Sequence, residues 1–107
     1  MAKYLVQAAY TAEGLQGLLK DKASGRREAV ARAAQSLGGK VEAMYYALGD
    51  YDVALIIDVP DTVSGAAFAL RASASGLVRT KTTALLTVEE VDQAVGKKVE
   101  YRAPGAS

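Results

Sequence analysis

Chemistry at neutral pH most often runs through histidine or cysteine, and this chain has neither. Ser–His and Cys–His nucleophile activation, histidine-ligated metals, thiolate sites and disulfides are therefore excluded. The groups left for catalysis are carboxylates, lysines, and the hydroxyls of six tyrosines. The glycines form neither a P-loop nor a dinucleotide fingerprint, and no cluster of metal ligands appears, so no cofactor and no metal are expected.

The most suggestive stretch runs from Gly49 to Asp61 (GDYDVALIIDVPD). Gly49-Asp50-Tyr51-Asp52 reads structurally as a turn, in which Asp bonds nearby amides and Tyr packs its ring while its hydroxyl stays wet. Its functional reading is a binding lip, with Tyr51 and the two carboxylates, Asp50 and Asp52, meeting a ligand at the sheet edge. Asp58 is a carboxylate inside an apolar strand, and the reading pairs it with Arg79 or Lys81. Buried without a partner, it would be a candidate acid or base. Arg79 and Lys81, among threonines, read either as a solvated strand or as an anion site. The candidate ligand-binding set is thus Tyr51, Asp52, Asp58, Arg79 and Lys81. Tyr4, Tyr10, Tyr45 and Tyr46 are candidates for lining a pocket between sheet and helices, or between two sheets.

The elements that must position these residues follow from hydrophobic period and punctuation. Lys3–Tyr10 predicts a strand. Thr11 caps a helix to Lys20 with Leu15, Leu18 and Leu19 on one face. A polar break at 21–25 precedes a second helical run, Arg26–Leu37, with Val30, Ala33, Ala34 and Leu37 inward; Gly38-Gly39 stops it. Lys40–Leu48 and Tyr51–Val59 predict two strands joined by a hairpin or a longer loop. Asp61 caps a helix with Val63, Ala66, Ala67, Leu70 and Ala74 on one face, closed by Gly76. Leu77–Leu86 is the last strand. Thr87-Val88-Glu89-Glu90 is a capping box opening a short helix to about Val95. The division is one domain over 1–96 and a tail over 97–107.

This β-α-β-β-α-β order predicts an α+β, ferredoxin-like fold: a four-stranded antiparallel sheet with its helices on one face, plus a short C-terminal helix. In the third strand Val53, Leu55, Ile57 and Val59 point one way, and Ala54, Ile56 and Asp58 the other. An open sheet face should be plainly polar, and this one is not. A second copy of the sheet is the economical cover, so a homodimer or a higher even-numbered oligomer is expected. The net charge of +1 and the lack of a dense basic run argue against a nucleic-acid partner. No stretch approaches the ~20 apolar residues of a spanning helix and none reads as a signal peptide, so a soluble, cytoplasmic protein without a membrane partner is expected.

Gly49, Tyr51 and Asp52, with LGGKVEAMYYAL before them and AFAL and VRTKT after, resemble the small bacterial GYD-domain proteins, from Tyr4 to about Val95. The resemblance implies a ferredoxin-like domain of the dimeric α/β-barrel group. The ligand-sensing domains of some amino-acid-responsive regulators are also similar, though no helix-turn-helix precedes the domain here.

The leading functional expectation is a non-enzymatic homo-oligomer that binds a small ligand or a protein partner at a sheet–sheet or sheet–helix cleft. The alternative, by analogy with the barrel group, is a cofactor-independent oxygenase or cyclase. Without His, Asn or Trp, such an enzyme would rely on Asp58, Tyr46 and Tyr51. A third expectation is a structural subunit whose tail docks on a neighbour.

Overall fold

The computed structural model describes residues 1–106. Its elements are β1 (Ala2–Tyr10), α1 (Ala12–Ser36), β2 (Lys40–Tyr46), β3 (Val53–Val59), α2 (Thr62–Ala74), β4 (Val78–Leu85) and α3 (Val88–Val95). The strands form one antiparallel sheet in the order β2-β3-β1-β4, which is the expected ferredoxin-like arrangement with an added C-terminal helix.

Alternation along the two central strands makes the core. Tyr4, Val6 and Ala8 of β1 and Val53, Leu55, Ile57 and Val59 of β3 are buried together. Both long helices lie on that face, α1 over β2 and the centre, α2 over β4 and the centre. The opposite face carries Leu5, Ile56 and Ala43 in one cross-strand row, all half-buried. Lys3 and Asp58 pair in the next row.

Each of the two long helices makes its closest approach at a glycine. Gly65 of α2 sits on the Tyr4 ring, where an added Cβ would lie 2.6 Å from a ring carbon. Gly14 of α1 is buried against the Leu77 carbonyl, with no room for a methyl group. The expected stripes are therefore misphased. Val63 and Leu70 are exposed, and Gly65, Phe68 and Ala72 face inward instead. Likewise Leu15 and Leu19 are exposed while Leu18 is half-buried. In an alanine-rich helix several faces are about equally apolar, so the smallest residue decides the phase by allowing the closest approach. In the second half of α1, Val30, Ala34 and Leu37 do turn inward, but Ala33 is exposed.

The polar break in the first helical region is a kink. Lys22 has φ 64° and ψ 168°, dividing α1 into two helical segments. This backbone region is essentially reserved for glycine, so Lys22 stores strain on the order of 1–3 kcal/mol. Caps fall where expected: Thr11, Asp61 and Thr87 each accept an amide proton from the first turn of a helix. Gly38, at φ 79°, provides the left-handed turn after α1.

The β2–β3 link is a loop over 47–52 rather than a tight hairpin. Asp52 ties that loop to both sides: its carbonyl accepts from the Ala47 amide at 2.7 Å, its amide donates to the Ala8 carbonyl of β1 at 2.8 Å, and its Oδ2 accepts from the Tyr10 amide at 2.8 Å. β2 also carries a bulge between Val41 and Ala43. At the other end of the chain α3 stands off the body, with Val88 75%, Val91 44% and Val95 80% exposed. The radius of gyration is accordingly 17.1 Å, against about 13 Å for a compact chain near this length.

Candidate functional site: a cleft between the helices

The two long helices are splayed, and a cleft of about 650 Å³ opens between them above the β1–β4 end of the sheet. That volume lies in the range of small-molecule sites. Its walls are apolar: Leu18 and Val30 from α1, Phe68 and Ala72 from α2, Val78 from β4 and Tyr10 from β1. Asp21 and Arg26, on either side of the Lys22 kink in sequence, both line the cleft. Arg26 lies 3.7 Å from the Asp21 carboxylate. Arg71, from α2, lines the same cleft and makes no ion pair or hydrogen bond among the described residues. Ser36 and Ser75 also line it, but their hydroxyls already donate to the Ala33 and Ala72 carbonyls at 2.6 and 2.7 Å.

Near this end the Tyr46 phenol is pushed up to about 12, first by loss of water around it and then by the neighbouring Tyr10 phenol; Arg26 opposes the shift. Tyr46 thus stays a neutral donor throughout the physiological range. That is the wrong direction for a tyrosinate base.

The residues singled out from the sequence fall in three places. Tyr51 and Arg79 meet at one end of the open face, the guanidinium 5.8 Å from the ring centroid, a cation–π distance. Lys81 lies two residues along β4 on the same face, pairing with Gln7 as Arg79 pairs with Ala9. Asp52 is beside them in the chain, but its carboxylate is engaged by the Tyr10 amide. Asp58 lies elsewhere. It is six residues along from Asp52, about 20 Å at strand rise, and it pairs with neither Arg79 nor Lys81. Its Oδ2 accepts a hydrogen bond from Lys3 Nζ at 3.1 Å, and Lys3 also donates to Glu42 at 2.7 Å. The reason is register: Lys3 is directly opposite Asp58, whereas β4 faces Lys3 with Leu85. Asp58 Oδ1 is buried without a hydrogen-bond partner.

The trio Asp58, Tyr46 and Tyr51 is therefore not gathered. Tyr46 belongs to the helix-facing row with Val53, Asp58 to the open face, and Tyr51 to the loop. Of the four strand tyrosines proposed as pocket-lining, Tyr10 lines the cleft. Tyr4 is core, and Tyr45 is 73% exposed. Sequence reasoning missed Arg26 and Arg71 as cleft residues. Phasing α2 on Gly65, Phe68 and Ala72 would have put Arg71 at the edge of the inward stripe.

Among the described residues no group of three or more His, Cys, Asp or Glu side chains could hold a metal ion. Nor is any helix among them long and apolar enough to cross a membrane. Comparison with curated proteins finds no match. A family model described as the GYD domain matches residues 4–95, taking in the sheet, both long helices and α3, and the chain belongs to that family.

Proposed function

We propose that this protein is a non-enzymatic, homodimeric module that holds a small ligand in the cleft between its helices. The observation that carries the reading is the cleft itself: apolar walls, a few convergent polar groups, and a volume suited to a drug-sized molecule. The scattered placement of Asp58, Tyr46 and Tyr51 weighs against the oxygenase or cyclase alternative, which needs them around one substrate. The half-buried row of Leu5, Ile56 and Ala43 on the open face supports the dimer, because a second sheet would complete its burial. A cytoplasmic setting is part of the same proposal. Native mass spectrometry of the purified protein, before and after denaturation, tests it. An even-numbered oligomer carrying a small mass lost on denaturation is the expected result; an empty monomer overturns it.

A second reading, a structural assembly subunit, is favoured by one observation. α3 is fully capped yet presents Val88, Val91 and Val95 to solvent. Deleting residues 86–107 should then lower the oligomer mass by more than the deleted segments. An unchanged subunit number dismisses this reading.

A further inference from the structure

The proposed ligand cleft has a charge preference that narrows what it would hold. Each of the two helices places one guanidinium at the cleft, Arg26 from α1 and Arg71 from α2, against the single carboxylate of Asp21. Asp21 is committed to Arg26 at 3.7 Å, and Arg71 has no partner among the described residues. The serine hydroxyls at the rim are spent on backbone carbonyls. The polar side-chain capacity left for a ligand is thus mainly cationic and donor-rich, set among mostly apolar walls. A guanidinium presents a planar fork of donors that matches a carboxylate in two parallel hydrogen bonds, stronger than neutral ones.

Resting on the cleft reading above, we propose that the cleft selects an amphipathic carboxylate. Its apolar body lodges among Leu18, Val30, Phe68 and Val78, and its carboxylate meets Arg71, with Arg26 beside it. A cationic amphiphile of the same length meets two guanidinia and is rejected. A neutral one fills the walls but leaves Arg71 unanswered.

Isothermal titration of the full chain with dodecanoate, dodecanol and dodecylamine, each below its solubility or micelle limit, tests this. Dodecanoate should bind at least about tenfold tighter than dodecanol, the margin of one charge-assisted contact, and dodecylamine weakest. Arg71→Gln should bring dodecanoate to within about threefold of dodecanol while leaving dodecanol unchanged. Ala33→Trp, a bulky group at an exposed position lining the cleft, should weaken both. If dodecanol or dodecylamine equals dodecanoate and Ala33→Trp still weakens them, the charge preference is wrong and the cleft reading survives. If none of the three binds, or Ala33→Trp changes nothing, the cleft reading itself fails and takes the preference with it.

Discussion

Two glycine-to-alanine substitutions in the long helices should differ sharply, one stabilising and the other not. Alanine is favoured over glycine in a helix interior by about 1 kcal/mol. At Gly17 an added Cβ meets nothing within 4 Å, so Gly17→Ala should keep the whole gain and raise the melting temperature by about 5 °C. At Gly65 the same Cβ would lie 2.6 Å from Cε2 of Tyr4 and 3.0 Å from Cδ2. Tyr4 is 9% exposed, within the core cluster, so its ring has nowhere to retreat. Overpacking of this kind costs about 1–3 kcal/mol, which offsets the propensity gain and leaves Gly65→Ala neutral to about 2 kcal/mol destabilised. Thermal unfolding followed by far-ultraviolet circular dichroism, at one fixed protein concentration, reads the difference. Tyr4→Leu supplies the control, because without the ring Gly65→Ala should become as favourable as Gly17→Ala. If Gly65→Ala alone raises the midpoint as much as Gly17→Ala, the closeness of α2 to the sheet is refuted, and with it the account of the misphased stripe.

Lys22→Gly releases the strain at φ 64° and should add about 1 kcal/mol after the entropic cost of glycine; a loss of stability in the same unfolding assay would contradict the kink. In a spectrophotometric titration, one of the six tyrosines should ionise late, near a pKa of about 12, and Tyr46→Phe should remove that step. Because folding raises this phenol's pKa, its contribution is fully present below pH 10, the unfolded value, and is lost as pH climbs toward about 12. Thr87→Ala breaks the capping box and should cost about 1 kcal/mol in α3 alone. Faster amide exchange across 88–95 with an unchanged global midpoint is expected; a drop in the midpoint would mean α3 is packed against something. Ile56→Lys puts a charge in the middle of the open sheet row, and light scattering should then report monomers; an intact dimer would place the interface elsewhere.

The order of elements was legible because the chain punctuates itself plainly: Thr11, Asp61 and Thr87 open helices, and Gly38-Gly39 and Pro60 end elements. The core half of β3 was legible because strict alternation leaves only two choices of face. The helix phases were not, since period alone cannot rank faces when alanine and glycine occupy most of them. The partner of Asp58 was not either. Naming it needs the register of β1 against β3, which depends on how the 47–52 loop closes through Asp52. The cleft was the least legible feature, because it comes from two helices failing to meet, and no motif encodes a gap.

The sheet order has a consequence for how the chain comes into being. β1 is made first, yet it is a central strand, flanked by β3 and β4. Lys3 finds its final neighbour only when Leu85 has been synthesised. Tyr4 and Val6, in the finished core, meet their β3 partners Ile57 and Leu55 only after about half of the domain has emerged. Such long-range pairing predicts slow, late, all-at-once folding, with β1 in need of protection until its neighbours have been made.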